Sequence, residues 1–178
     1  MKGHALAVAV LLFTGGLFAQ ATQLSLGVDV AIPLREFNNR NVRLGRGPAV
    51  GFELPVGDRV GVTLQAAYDF LVANDSINGR LKSAVLIPVQ AGLKYYFQGQ
   101  QKGFYAHGQL GIHDSMKRYR DFPFSSNDIE PTWALGVGYQ LEQFDFGLRY
   151  NNLLGWNLKG FNPVGYLGVR VAYLFNLN

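Results

Sequence analysis

From Gln23 the chain reads QLSLGVDVAIPL, and Leu24, Leu26, Val28, Val30, Ile32 and Leu34 alternate with Ser25, Gly27, Asp29 and Ala31. A period of two over this length predicts a strand with one apolar and one polar face. The alternation recurs at Pro48–Val56, Val60–Val72, Ala84–Phe97, Phe104–Ser115, Thr132–Leu141, Phe144–Leu153 and Val164–Leu177, so eight strands are expected. Short connections at Gly57-Asp58, Gln98–Lys102 and Glu142-Gln143 alternate strictly with long polar ones at Arg35–Gly47, Ala73–Ser83, Met116–Pro131 and Gly155–Pro163. Consecutive strands joined in this way predict an all-β, up-and-down antiparallel fold.

The faces sort sharply. Val60, Val62, Leu64, Ala66, Tyr68 and Phe70 fall on one face of the third strand. Val85, Ile87, Val89, Ala91, Leu93, Tyr95 and Phe97 do so on the fourth, and Trp133, Leu135, Val137, Tyr139 and Leu141 on the sixth. The opposite faces carry Glu53, Thr63, Gln65, Asp69, Gln90, Lys94, His107, Gln109, Gln140, Arg149 and Arg170 among many glycines. Alternation alone does not say which face is inside. Two features decide it. Aromatics gather at the strand ends of the apolar face, with Tyr95, Phe97, Phe104, Tyr139, Phe144, Phe146, Tyr173 and Phe175 at one end and Tyr68, Phe70, Trp133 and Tyr150 at the other. Two girdles around an aliphatic band match the cross-section of a bilayer. Glycines at 27, 51, 61, 92, 111, 136, 138, 147 and 168 share the polar face, where small residues make room for long ones in a narrow lumen. The expectation is an eight-stranded antiparallel transmembrane β-barrel, polar inside and apolar outside.

Composition narrows the class further. Hydrophobic residues make up 48% and aromatic residues 13% of the 178 positions, yet beyond the N-terminus no apolar run approaches the roughly 20 residues of a spanning helix. There is no cysteine, which excludes disulfides, thiolate metal sites and cysteine nucleophiles. The formal charge of +4 is too small a surplus to imply nucleic-acid binding. At the N-terminus, Lys2 and His4 precede an apolar run from Ala5 to about Phe13, followed by small residues and Ala19-Gln20-Ala21. This is the layout of a cleaved secretory signal peptide. Residues 1–21 are read as the signal and 22–178 as one barrel domain.

Over the whole mature chain the sequence resembles the small eight-stranded outer-membrane barrels of Gram-negative bacteria, the OmpX and OmpA membrane-domain type. The most specific local element is the last strand. There Tyr166, Gly168, Val171 and Tyr173 match the polar-x-Gly-x-x-hydrophobic-x-hydrophobic signal read by the barrel assembly machinery, although Phe175 is followed by Asn176-Leu177-Asn178 rather than ending the chain. The resemblance implies residence in the outer membrane, both termini in the periplasm and every long loop outside.

An eight-stranded barrel encloses just enough space for side chains, so a plug is expected rather than a pore. Asp29, Glu53, Asp69 and Asp145 with Lys94, Arg149 and Arg170 form the expected lumen charge network, because buried charges must be paired. Asp29 and Arg170 are an expected pair, since the first and last strands meet at closure. The alternative use of the set is a proton or ion path.

The first long loop holds Arg35, Arg40, Arg43 and Arg46 against a single Glu36. Guanidinium groups there would clamp lipopolysaccharide phosphates by bidentate hydrogen bonds; an ordinary solvated loop is the competing reading. The third loop mixes Lys117, Arg118 and Arg120 with Asp121, Asp128 and Glu130, beside Tyr119 and Phe122, and names no partner.

His113, Ser115 and Glu130 raise a hydrolase reading, with a serine nucleophile, a histidine base and a carboxylate to orient it. The lipid A deacylases are similar barrels with a His-x-Ser element. Here Met116 replaces the usual following Asn, and the alternation turns His113 and Ser115 toward the lumen. No phosphate loop, dinucleotide fingerprint or metal-ligand spacing occurs, so no cofactor and no metal is expected. Three functions follow: a non-enzymatic barrel that contacts lipopolysaccharide or a partner envelope protein, for example as an accessory subunit of a transport or secretion complex; a small-solute channel; and a lipid A hydrolase.

Overall fold

A computed structural model describes residues 21–34, 42–73, 81–119, 125–153 and 164–177. Residues 1–20 of the expected signal segment and Arg35, Arg40, Arg120, Asp121 and Phe122 lie outside the described residues. Nine strand segments follow one another: β1 (Thr22–Pro33), β2 (Val42–Pro55), β3 (Val60–Ala67), β4 (Asp69–Ala73), β5 (Leu81–Tyr96), β6 (Gly103–Tyr119), β7 (Ser125–Leu141), β8 (Phe144–Leu153) and β9 (Val164–Leu177). All pairings are antiparallel and join sequence neighbours, except that β3 and β4 do not pair with each other and each lies between β2 and β5; β1 pairs with both β2 and β9, which closes the sheet.

β3 and β4 are one strand of the barrel. Both pair with β2 on one side and β5 on the other, and the register of Ala49 with Ala67 continues unshifted to Arg46 with Phe70. The interruption at Tyr68 has a covalent cause. Tyr68 N donates to Pro48 O at 2.9 Å, but proline has no N–H to return the second bond of that pair. The Tyr68 carbonyl instead leans over Gly47, so close that a Cβ there would sit 1.5 Å from the oxygen. The barrel therefore has the eight strands that the periodicity predicts.

The predicted faces hold. Leu64, Leu93, Leu110, Leu135 and Val137 are exposed on the exterior, whereas Asp29, Glu53, Asp69, Lys94, Asp145, Arg149 and Arg170 are buried inside. The girdle aromatics all lie outside, in contact along the turn end: Phe104 with Tyr139 (centroids 4.8 Å), Phe144 with Tyr173 (5.5 Å) and Tyr173 with Phe175 (4.9 Å). At the far end Trp133 packs on Tyr150 at 5.6 Å.

The strand ends need correction. β2 begins at Val42, so Arg43 and Arg46 are strand residues and not loop residues, and Arg46 points outward in register with Phe70. β6 runs to Tyr119 and β7 starts at Ser125, which places Lys117, Arg118, Asp128 and Glu130 in strands as well. Where β7 extends beyond the apolar belt its outer face meets water, so its hydrogen-bond ladder continues with little apolar alternation to reveal it; in β2 only Val42 and Leu44 carry the alternation.

Candidate functional site

The lumen collects nearly every buried polar group. Its turn-end half is built from side chains on β1, β2, β5, β6, β7 and β8. Lys94 Nζ lies 2.7 Å from Asp145 Oδ2 and 3.0 Å from Glu53 Oε2, and 4.4 Å from the centre of the Tyr105 ring. Tyr105 Oη donates to Asp145 Oδ1 at 2.6 Å, and Tyr96 Oη donates to Glu53 Oε1 at 2.8 Å. Below them Gln101 folds in from the turn before β6 and donates to Glu53 at 3.2 Å, while Gln140 donates to Gln23 at 3.0 Å. Each charge here has partners on both sides, which is the condition for burying an ion pair without a large net penalty.

Midway along the barrel Asp29 receives two arginines. Arg170 Nε donates to Asp29 Oδ1 at 2.9 Å, and Arg149 Nη2 donates to Asp29 Oδ2. Arg149 Nη1 also donates to Gln65 Oε1 at 3.0 Å, which accepts from Gln109 at the same distance. Glycines make the space. A Cβ on Gly168 would press on the Arg149 side chain at 3.1 Å, and one on Gly138 would strike the Tyr105 ring at 2.3 Å. Thr63 Oγ1 and His107 Nε2 are 2.8 Å apart between the two clusters. A small void of about 20 Å³ beside Gln65, Tyr105, His107, Arg149 and Arg170 has room for a water molecule.

The half toward the long connections differs. Both oxygens of Asp69, the hydroxyl of Ser115 and the amide of Asn151 have no hydrogen-bond partner among the described residues, and neither do the Nη1 and Nη2 atoms of Arg170 midway along the barrel. Buried polar atoms without protein partners call for water. Among the described residues the lumen is thus bonded side chain to side chain at its turn end and carries unpartnered polar atoms at the other.

Six of the seven expected network residues are joined by direct contacts: Glu53, Lys94 and Asp145 in one cluster, and Asp29, Arg149 and Arg170 in the other. Asp69 faces the same lumen but bonds to neither. Tyr96, Tyr105 and Gln101 are central to the network and were not anticipated; Tyr96 and Tyr105 share strand parity with Lys94 and His107, and that was the available signal. His113 and Ser115 face the lumen and are fully buried. His113 Nε2 is 3.4 Å from Glu130 Oε2, but Ser115 Oγ makes no hydrogen bond to His113, so the described geometry does not assemble a nucleophile and its base. Among the described residues no group of three or more His, Cys, Asp or Glu side chains is placed to hold a metal. In the last strand Tyr166 and Gly168 point inward, and Val171 and Tyr173 point outward.

No protein-family model matches the sequence, and no curated protein matches it. Solved structures do match. The attachment invasion locus protein Ail of Yersinia pestis superposes with a TM-score of 0.57 at 14% identity, over 88% of this chain and 99% of that one. The same protein in complex with the heparin analogue sucrose octasulfate gives 0.58 at 15% identity, over the same shares of the two chains. Neisserial surface protein A gives 0.54 at 16% identity, over 86% of this chain and 97% of that one. The shared feature is the closed antiparallel barrel, and this chain has the fold of the small eight-stranded outer-membrane β-barrels.

Proposed function

We propose that this protein is a non-enzymatic integral outer-membrane barrel, plugged by its own side chains, whose long-connection rim contacts lipopolysaccharide or an anionic envelope partner. The observation that carries the reading is the filled lumen. Its two clusters, Glu53-Lys94-Asp145 and Asp29-Arg149-Arg170, occupy the path a solute would take. With the interior closed, the surfaces left for recognition are the wall and the rims. At the long-connection rim Arg46 projects outward beside Phe70, where the apolar belt ends, and Arg35, Arg40 and Arg43 precede it in sequence. Guanidinium groups at that height suit the phosphates of lipid A. The polysulfated ligand bound by Ail supports the same kind of chemistry.

In this reading both termini, which meet where Thr22 pairs with Leu177, lie in the periplasm. Residues 1–21 are the cleaved signal, and Tyr166, Gly168, Val171 and Tyr173 are read by the assembly machinery. The test is binding of the reconstituted protein to lipopolysaccharide and to its dephosphorylated form. Replacing Arg35, Arg40, Arg43 and Arg46 with Gln lowers affinity for the phosphorylated form by about tenfold per arginine engaged. Equal binding by the wild type and the variant contradicts the proposal.

One observation favours a second reading, passage of small solutes: the unpartnered polar atoms of Asp69, Ser115 and Asn151 in the far half of the lumen. The Lys94 cluster stands across that path, and conductance separates the two readings.

A further inference from the structure

We propose that a groove in the outer wall across β5, β6 and β7 binds one acyl chain of a phospholipid, whose phosphate is held at the turn end by Arg59 and Lys102. This rests on the reading that the apolar face meets a bilayer.

The groove follows from register. Three outward rows cross these strands: Tyr95, Ala106 and Val137; Leu93, Gly108 and Leu135; Ala91, Leu110 and Trp133. In the first two rows the middle residue is the smallest, so Ala106 and Gly108 form a floor between walls of Tyr95 and Leu93 on one side and Leu135 and Trp133 on the other. Leu110, among the most exposed residues of the belt at 72%, closes the far end. The resulting groove is almost wholly apolar, with a volume of about 620 Å³. A Cβ on Gly108 would meet nothing closer than Leu135 Cδ2 at 3.7 Å, so its floor lies open.

In a bilayer an unfilled groove forfeits dispersion contacts along its lining, and the neighbouring molecules able to fill it are lipid chains. The charge at its turn end identifies the lipid class. Arg59 Nη1 reaches Tyr95 Oη at 3.5 Å, at the edge of the groove. Lys102, also exposed, sits in the turn immediately before β6, at the same end of the barrel as Phe104. Two exposed cations and a tyrosine hydroxyl over an apolar cleft complement a phosphodiester headgroup above its chain. A second copy of the barrel would answer the groove but leave these cations facing each other or solvent.

The test is native mass spectrometry of the protein reconstituted with phosphatidylglycerol and released from detergent. The wild type is expected to retain one phospholipid. Gly108→Phe and, independently, Ala106→Leu fill the groove and should each reduce retention about tenfold, equivalent to about 1.4 kcal/mol. Arg59→Gln with Lys102→Gln should weaken retention of the phospholipid while leaving folding, read by the gel shift on heating, unchanged. Undiminished retention in folded groove variants, no retained lipid in the wild type, or a dimer lost on filling the groove would each overturn the proposal. If the wild type inserts into vesicles but keeps no lipid, the groove proposal alone fails; if it does not insert, the membrane reading fails first.

Discussion

Asp29 on β1 stands directly opposite Arg170 on β9, and the two are bonded at 2.9 Å across the seam where the first and last strands meet. The closure of the barrel is therefore also an ion pair, and Arg149 from β8 joins it from one strand further round.

Removing Asp29 leaves two buried guanidinium groups without their carboxylate. Asp29→Asn is expected to cost about 3–5 kcal/mol, the usual penalty for breaking a buried pair from one side. Urea titration in lipid vesicles, read by the shift between folded and unfolded gel bands, measures it. Adding Arg170→Gln to Asp29→Asn should restore part of the loss, because the stranded charge is removed. Additive losses would show that the pair is not coupled.

Gly138 and Gly108 make a matched pair of tests. Gly138 lies under the Tyr105 ring inside the barrel, and Gly108 opens to the outside. Gly138→Val should displace Tyr105 from Asp145 and cost about 1–3 kcal/mol. Gly108→Ala should cost less than about 1 kcal/mol, the upper size of the strand glycine effect and of either sign. The same vesicle titration compares them, and an equal cost at both positions would contradict the assigned faces.

The membrane face predicts its own sensitivity. Leu135 is exposed in the middle of the belt, and Leu135→Arg should destabilise the inserted barrel by about 2–4 kcal/mol, the cost of a cation near the bilayer midplane. On a water-soluble surface the same substitution would be near neutral.

Conductance tests the plug. Wild-type protein in planar bilayers should show no stable channel, because Lys94, Glu53, Asp145, Tyr96 and Gln101 close the turn end. Tyr96→Ala combined with Gln101→Ala removes the lower layer, and discrete openings are then expected. Channels of the same size in both proteins would favour solute passage and place the path elsewhere.

Much of this arrangement was legible because a strand has only two faces. Once Lys94 is assigned to the lumen, Gln90 follows it and Leu93 is turned to lipid. The Asp29–Arg170 pair was legible from closure alone, since the ends of an up-and-down barrel must be neighbours. The Arg149 contact with Asp29 was not, because it passes over the intervening β9 and depends on side-chain reach through a lumen cleared by Gly168. Tyr96 and Tyr105 were hidden for another reason: aromatics near the strand ends suggested the girdle, and parity alone distinguished these two from Tyr95 and Phe104. The strand end at Ser125 lies where both faces are polar, so no alternation marks it, whereas at the start of β2 Val42 and Leu44 do alternate with Arg43 and Gly45, but over too few residues to stand out from a loop rich in arginine and asparagine. The break at Tyr68 traces to one proline, Pro48, in the neighbouring strand.

The central claim is that the charged face is the interior and the apolar face meets lipid, and the absence of cysteine from the chain makes its most direct test simple. Single cysteines at Val89, Gln90, Ala91, Gly92 and Leu93, each carrying a small fluorophore, are inserted into bilayers containing nitroxide-labelled lipid. Strong quenching at 89, 91 and 93 with little at 90 and 92 is the predicted result. Quenching at 90 and 92 instead, or no alternation along β5, would contradict it.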